Sequence, residues 1–216
     1  MKTHYDSKYF EYQKKSGVFG GYMNQILFQE YINPNDKVLD FGCGGGFLLK
    51  NLDCKKRIGV EINPAAAEMA RENGIEIYFS VDDVLDNYVD TIISCHALEH
   101  TFYPLKEMQS LYNKLKKGGK AIIVVPCESI RWKFKKNDVD QHLYTWSPMS
   151  IGNLMALAGF NIIESKPYYH SWFLGRRWSS VRSIIVKLFG WKGYHFCCKL
   201  RGYLGPLYQV RVIATK

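Results

Sequence analysis

The sequence contains no run of apolar residues that approaches the ~18 to 20 positions of a membrane span. Its first twenty residues include Asp6 and Glu11, whereas a secretory signal needs an unbroken apolar stretch there. We therefore expect no transmembrane segment and no signal peptide, and we expect a cytoplasmic protein. Hydrophobic residues still make up 47% of the 216 residues and charged residues 23%. This composition excludes global disorder and predicts a single domain over residues 1–216.

None of the six cysteines forms a Cys-x-x-Cys pair, the spacing that marks many zinc sites and redox motifs. A chain of this size also buries enough apolar surface to fold without disulfide bonds. We therefore expect six free thiols and no zinc site built from the cysteines.

Acidic residues are absent from residues 165–216, which contain ten lysines and arginines. Residues 1–164 contain 19 lysines and arginines against 20 aspartates and glutamates, so the net charge of +9 comes from the last quarter of the chain. A protein that binds nucleic acid through its whole surface would spread its basic charge more evenly. Nucleic acid is therefore not the expected partner.

Short apolar runs alternate with helical segments along residues 37–164. One helix start is well marked, because Asn63 can cap it, Pro64 suits its first turn and Gly74 can end it. Further helices are predicted over residues 47–52, along the face from Leu105 to a stop at Gly118-Gly119, and from Ser147-Pro148 to Gly159. The predicted strands are residues 37–42, 57–62, 75–79, 89–95, 121–126, 160–163 and 207–215. This order predicts an α/β fold with a doubly wound, mostly parallel sheet and helices on both faces.

A glycine-rich turn follows the first predicted strand. Residues 38–46 read VLDFGCGGG, and glycines there let the backbone approach a ligand closely. The dinucleotide fingerprint would need a sixth-position glycine where this chain has Phe47. Glu61 ends the second strand, 21 positions after Asp40, where a carboxylate can accept hydrogen bonds from both hydroxyls of a ribose. The pattern indicates a nucleoside ligand without a pyrophosphate.

Five segments in register resemble the class I S-adenosylmethionine-dependent methyltransferases, in particular their small-molecule branch. The segments are VLDFGCGGG (38–46), GVEINP (59–64), ISCHALEH (93–100), LKKGGKAIIVVP (115–126) and HLYTWSP (142–148). The resemblance implies a Rossmann-like, seven-stranded sheet whose last strand is antiparallel. It also implies S-adenosylmethionine as the cofactor and S-adenosylhomocysteine as its product.

The same resemblance assigns roles to the cofactor residues. Gly42 and Gly44 would form the turn against the methionine part, Asp40 would order the loop and meet the amino-acid end, and Glu61 would hold the ribose. Asp82 or its neighbour Asp83 would reach the adenine. The full expected set of cofactor-binding residues is Asp40, Gly42, Cys43, Gly44, Glu61, Ile62, Asp82, Ser94 and His96.

Methyl transfer to a hydroxyl needs a base near the acceptor, and ligands of open α/β sheets bind at the carboxyl ends of the strands. His96, Glu99 and His100 lie there in the segment after the fourth strand, and His142 lies in the insert after the fifth. We interpret His142 as the base, because loops over a rigid scaffold usually carry the chemistry. His100 is the second catalytic candidate, with a packing role as its alternative.

His96, Glu99 and His100 also match the H-x-x-E-H pattern of inverzincin proteases. That pattern belongs on a long helix, whereas here Pro104 follows within four residues. The segment also resembles the ubiquinone-pathway O-methyltransferases, in which carboxylates and a histidine hold a divalent cation. This chain has His96 where those enzymes have a second glutamate, and hard cations prefer oxygen ligands. We therefore expect a reaction without a metal.

Three segments lie outside the strand and helix pattern. Residues 1–34, with Tyr5, Tyr9, Phe10 and Tyr12, are expected to form a helical cover over the cofactor. Residues 127–146 are expected to lie over the acceptor site. Residues 170–206 form a basic, aromatic insert between the last two strands, and residues 176–189 within it have one apolar helical face. That helix can lie on an anionic membrane, cover the acceptor or form a dimer interface, or it can simply pack on the domain.

Together these features predict a methyltransferase that acts on a small-molecule acceptor, most simply a hydroxyl of a sugar, a glycan or a lipid-linked intermediate. The motifs HALEHTFYP, VVPCES and HLYTWSP resemble bacterial enzymes that modify sugars or surface glycans. One alternative is a protein that binds the cofactor or its product without catalysis. Another is an RNA methyltransferase that uses the basic C-terminal region. A monomer and a homodimer both remain open.

Overall fold

The computed structural model describes residues 7–136, 138–170, 179–205 and 208–216. The strands are β1 (Lys37–Phe41), β2 (Lys56–Val60), β3 (Glu76–Tyr78), β4 (Val89–Cys95), β5 (Leu115–Cys127), β6 (Asn161–Tyr168) and β7 (Tyr208–Thr215). The α-helices are α1 (Ser7–Asn24), α2 (Pro64–Glu72), α3 (Pro104–Lys114), α4 (Pro148–Leu157) and α5 (Ser179–Leu204).

The seven strands form one sheet in the order β3-β2-β1-β4-β5-β7-β6. Strands β1 to β5 are parallel to one another, and β7 runs antiparallel between β5 and β6. The predicted doubly wound, seven-stranded sheet with an antiparallel last strand is confirmed. The strand order reverses between β1 and β4, so the crevice at their carboxyl ends is the expected place for a ligand.

Successive residues of the central strands contribute to cores on opposite faces of the sheet. Leu39, Ile92 and Ile123 pack with α3 and α4, whereas their neighbours Val38 and Ile93 pack on the other face. That other core contains residues just after α1, the segment after the glycine-rich turn, and Ala70 of α2. Both faces of the sheet are therefore covered, as the continuous apolar sequence of β5 predicts.

Local sequence signals explain where two helices begin and end. The Asn63 side chain accepts hydrogen bonds from the amides of Ala65 and Ala66 at the start of α2, and Gly74 takes a φ of +79° just beyond its end. At the start of α4, Ser147 and Ser150 form a reciprocal capping box, and Gly159 follows with a φ of +110°. These predicted boundaries are confirmed.

One predicted helix does not form, and another ends earlier than predicted. The segment over residues 47–52 forms only a 3-10 turn at Leu49–Asn51, because α1 packs so closely that a Cβ on Gly21 would lie 2.4 Å from the Phe47 backbone. Helix α3 ends at Lys114, not at Gly118-Gly119, because Leu115 already pairs with Val89 at the start of β5.

Helix α5 occupies much of the insert between β6 and β7. It is interrupted at Gly190, whose φ of +67° and ψ of 177° are not helical. Tyr194 and Cys198 from its second half are fully buried against Met23 of α1. No helix in the described part of the chain combines the length and the apolar character needed to cross a bilayer.

Candidate active site

The glycine-rich turn follows the carboxyl end of β1, and hydrogen bonds to β2 fix its backbone. The amides of Gly42 and Cys43 both donate to the Val60 carbonyl, at 2.9 and 3.2 Å. Gly42 has a φ of +75°, and a Cβ there would lie 2.3 Å from that of Ala97. Gly44 has a φ of +53° but faces open space, because among the described residues beyond its chain neighbours no atom lies within 4 Å of where a Cβ would stand. The turn is therefore packed at Gly42 and open at Gly44, where a ligand can approach the backbone.

Glu61 follows β2 and is tied to this turn. Its two carboxylate oxygens accept the amide of Gly44 at 2.9 Å and the amide of Asn63 at 2.7 Å. Burial raises the pKa of Glu61, and the backbone amides that donate to it oppose this shift. A carboxylate has about four acceptor positions and the amides of Gly44, Asn63 and Ile62 act on this one, so Glu61 can still accept a hydrogen bond from a ligand hydroxyl. The exposed side chain of Ile62 beside it offers an apolar surface.

Asp40 lies on β1 behind the turn and is 2% exposed. Among the described residues, its Oδ1 atom has no hydrogen-bond partner. Burial, reinforced by the charge of Glu61, raises the pKa of Asp40 well above its usual range. A buried carboxylate without a full set of partners is unfavourable. Asp40 is thus suited to meet a cationic or hydrogen-bond-donating ligand group.

Of three other expected cofactor residues, one packs into the core, one is already bonded through its side chain, and one is exposed. Cys43 packs into the core, where a Cβ on Gly59 would lie 2.4 Å from its Sγ atom. The buried Ser94 hydroxyl donates to the Phe41 carbonyl at 2.9 Å. Asp82 is exposed in a 3-10 turn over Val81–Asp83. Cys43 can therefore face a ligand only through its backbone, and a contact from the Ser94 hydroxyl would have to replace a bond between strands.

His96 lies at the carboxyl end of β4 in a strained conformation, with a φ of +57°. Its Nε2 lies 3.0 Å from Gln209 Oε1, and its Nδ1 lies 3.5 Å from Glu99 Oε1. Burial favours the neutral ring, but Glu99 and Gln209 together raise the pKa of His96. The ring therefore lies with the acceptor-side candidates and not at the cofactor turn.

His142 lies between two carboxylates. Its Nδ1 bonds Glu128 Oε1 at 2.5 Å, and its Nε2 lies 4.0 Å from Oε1 of the fully buried Glu99. The Glu99 contacts are longer than ordinary hydrogen bonds, so its carboxylate can accept a further hydrogen bond from an acceptor or a water. The His100 ring meets the His142 ring edge-on at 4.9 Å between centroids, and burial lowers the pKa of His100.

The glycine-rich turn lies next to a second group of residues, which we call the His142 group. This group consists of His96, Glu99, His100, Glu128, His142 and Gln209. Ala97 contacts Gly42, and the charges of both Asp40 and Glu99 act on the buried Cys95, whose pKa is raised mainly by burial. The glycine-rich turn and the His142 group therefore share the crevice at the carboxyl ends of β1 and β4.

Two residues of this group were not predicted from the sequence. Glu128 stands directly after β5 in PCES, a position at the ligand-binding edge that could have identified it. Gln209 comes from β7, next to the insert, and only the sheet order brings it to His96.

Glu99, His100 and His142 each offer one ligand atom, and these atoms lie within 4.8 Å of one another. The expected metal-free reaction therefore stays a prediction that metal titration can test.

A family model described as a methyltransferase domain matches residues 16–165. The ribosomal protein L11 methyltransferase of Burkholderia cenocepacia is 33% identical over 100 residues, which cover 43% of this chain and 32% of that protein. The chain thus aligns with about a third of the length of this curated relative.

Solved structures show the same fold at low sequence identity. An S-adenosylmethionine-dependent methyltransferase from Archaeoglobus fulgidus is 19% identical, with a TM-score of 0.65 over 96% of this chain and 99% of that one. A [4+2]-cyclase is 17% identical, with a TM-score of 0.60 over 89% of this chain and 80% of that one. The fold therefore hosts more than one reaction. The family match covers well over half of the residues and includes the glycine-rich turn, Glu61, Glu99, Glu128 and His142, and the chain belongs to the methyltransferase-domain family.

Proposed function

We propose that the protein transfers a methyl group from S-adenosylmethionine to a hydroxyl of a small acceptor. The observation that carries the proposal is the position of His142, held by Glu128 on one ring nitrogen and facing Glu99 with the other, beside a turn suited to a nucleoside. A base, a group that orients it and a cofactor turn in one crevice are the parts that such a reaction needs.

The residues around the turn fit the cofactor. The orphaned Oδ1 of buried Asp40 and the open space at Gly44 suit the cationic amino-acid end. The remaining acceptor capacity of Glu61 suits a ribose hydroxyl, and exposed Ile62 and Asp82 suit the adenine. S-adenosylmethionine supplies an activated methyl group on a sulfonium, so the protein need only align the acceptor and remove its proton.

His142 is the group that we assign to proton removal. The Glu128 carboxylate fixes its Nδ1 atom as the protonated one, which leaves Nε2 with a lone pair. When Nε2 takes the proton of the acceptor hydroxyl, Glu99 lies close enough to stabilise the imidazolium. His100, with its lowered pKa, stays neutral beside it and limits repulsion between the two rings.

Aromatic side chains around the insert over residues 127–146 support a sugar-containing acceptor. Tyr144 follows His142 by two residues, stacks on Trp146 and donates to the carbonyl of Phe102. Phe102 and Tyr103 are both mostly exposed at the same edge. Flat aromatic surfaces beside polar groups are well suited to sugar rings.

Helix α5 supports an acceptor at a membrane surface, such as a lipid-linked glycan. Its exposed apolar side chains include Ile184, Leu188, Phe189 and Phe196, and its exposed cations include Lys187 and Lys192. Apolar side chains among cations favour peripheral contact with an anionic bilayer. Arg176, Arg177 and Trp178, which complete the expected helix over 176–189, lie outside the described residues, as does Tyr5 of the expected N-terminal cover.

Turnover with His142→Gln tests the proposal. We would measure S-adenosylhomocysteine release with extracts of bacterial glycans and lipid-linked sugars as acceptors. The wild type should form product, and His142→Gln should lower the rate by about 10² to 10⁴-fold without changing the affinity for S-adenosylhomocysteine. Equal rates for both proteins would refute the assignment of His142.

The non-catalytic alternative predicts cofactor binding without turnover on any acceptor. The relationship to ribosomal protein L11 methyltransferases makes a protein acceptor the second candidate, because the identity reaches 33% over 100 residues. Labelled methyl groups in protein or RNA, and not in glycan or lipid fractions, would replace the small-molecule acceptor with one of these macromolecules.

A further inference from the structure

A second group of metal-ligating side chains, with no residue in common with the first, lies between the end of β6 and α5. One ring nitrogen of His170, one of His195 and the Sγ atom of Cys198 all lie within 4.8 Å of one another. His170 comes directly after β6, and His195 and Cys198 are three residues apart on α5. Residues at i and i+3 share one face of a helix, so α5 presents both donors to the end of β6.

Two of these donors are buried and His195 is half-buried, and both histidines have a ring nitrogen without a hydrogen-bond partner among the described residues. His170 is 7% exposed and Cys198 is fully buried. Within the part of the chain that the structure describes, these unpaired atoms are His170 Nε2 and His195 Nδ1. Buried imidazole nitrogens are normally bonded, so two unbonded ones beside a thiol require an explanation.

The surrounding packing holds this group in place. A Cβ on Gly202 would lie 2.5 Å from the His170 amide nitrogen, so α5 lies directly against the backbone after β6. The Gln209 side chain donates to the His170 carbonyl at 3.2 Å, and the rings of His170 and His195 lie 6.0 Å apart between centroids. Close contact with α5 therefore fixes the distance between the histidines and Cys198.

We propose that His170, His195 and Cys198 bind one borderline-soft transition-metal ion, for which Zn²⁺ is the natural candidate, and that the ion fastens α5 to the end of β6. Two imidazoles and a thiolate are ligands that zinc prefers, and a water would complete a tetrahedron. Ligand atoms around such an ion are about 3.3–3.8 Å apart, so side-chain shifts of about 1 Å close the site. The ion would stabilise the insert and take no part in methyl transfer. This site differs from the expectation that none of the cysteines ligates zinc.

Titration of the purified, metal-free full chain with Co²⁺ tests this proposal. Cobalt reports tetrahedral coordination through visible ligand-field absorption and reports a thiolate ligand through near-ultraviolet charge transfer. We expect one equivalent to bind with both signals, and one equivalent of Zn²⁺ to displace it. Cys198→Ser should abolish the charge-transfer signal, whereas Cys197→Ser, its matched control, should retain it. His170→Gln should weaken cobalt binding at least about tenfold, since even changes outside the ligand shell cost about 10 to 100-fold.

Binding of S-adenosylhomocysteine to each variant provides the folding control, because that site contains none of the three ligands. If a variant fails to fold, a higher unfolding temperature of the wild type with one equivalent of Zn²⁺ than without metal gives an independent readout. Failure of the wild type to bind cobalt would overturn the proposal. So would a signal that survives Cys198→Ser and His170→Gln but disappears in Glu99→Gln, because the ion would then lie at the other cluster.

Discussion

Asp40 is a buried carboxylate and Glu61 is a half-buried one nearby, and within the described part of the chain no cation forms an ion pair with either. The charge of Glu61 adds to burial in raising the pKa of Asp40. A ligand with a positive charge removes part of this cost, so the unfavourable environment in the free protein becomes favourable for binding.

Asp40→Asn should therefore keep or raise the stability of the protein while it weakens cofactor binding. Folding raises the pKa of Asp40. The free energy of unfolding therefore falls as the pH rises from the unfolded-state pKa of this carboxyl through its folded-state pKa. At neutral pH the variant should unfold at an equal or higher temperature than the wild type, and the two should converge in acid. Its affinity for S-adenosylmethionine should fall about tenfold or more. A lower neutral-pH unfolding temperature with unchanged affinity would show that Asp40 is structural.

Glu128 holds His142 through a bond that the sequence did not predict. In Glu128→Gln the amide can present an oxygen or a nitrogen to His142 Nδ1 but no charge, so the imidazolium loses stabilisation. We expect kcat to fall about tenfold to a hundredfold, with the affinity for S-adenosylhomocysteine unchanged. Glu107→Gln, at a partly buried glutamate on α3, is the control. A change in affinity without a change in kcat would contradict the role of Glu128.

Residues within a recognisable motif were predictable, and those that depend on distant elements were not. Glu61 and His142 stand in motifs with a chemical pattern of their own. Gln209 is an ordinary strand residue until β7 inserts between β5 and β6 and brings it to His96.

At the scale of elements, the glycine-rich turn combines one packed glycine and one open glycine. Gly42→Ala should destabilise folding by about 2–4 kcal/mol, since a positive φ and overlap with Ala97 both oppose it. Gly44→Ala meets no atom and should lose only about 1 kcal/mol, but it should weaken S-adenosylhomocysteine binding because the methyl group occupies the open space. Thermal unfolding and calorimetric titration of both variants check this. Equal losses of stability would show that the two positions are not distinct.

The predicted helix boundaries were correct where capping residues set them. They were wrong where packing against another element set them. Asn63 and Ser147 marked α2 and α4 correctly because a cap is a local hydrogen bond. The helix expected over residues 47–52 did not form, because α1 packs against that segment and no local signal reports this contact.

At the scale of the whole molecule, the basic charge and the exposed apolar side chains coincide on α5. The full chain should sediment with vesicles containing anionic lipid and not with zwitterionic vesicles, and added salt should weaken the binding. A variant with Leu188→Ser and Phe189→Ser should lose most of it. Leu85→Ser, at an exposed leucine outside α5, is the matched control. Equal sedimentation of both variants would exclude α5 as the contact surface.

The sheet was predictable because strand and helix segments alternate along the sequence. The charge asymmetry was predictable because it follows directly from the positions of the charged residues. The placement of α5 was not, since its amphipathic sequence suits a membrane, a lid and an interface equally. Packing of Tyr194 and Cys198 on Met23 shows which of its side chains meet α1.

The central claim is that Glu61 and the glycine-rich turn bind a nucleoside cofactor. Calorimetric titration with S-adenosylmethionine and S-adenosylhomocysteine, repeated on Glu61→Ala, tests it most directly. We expect both ligands to bind the wild type and the variant to lose at least about a hundredfold in affinity, because hydrogen bonding to a charged group disappears. Unchanged binding by Glu61→Ala, or no binding of either ligand to a folded wild type, would contradict the account.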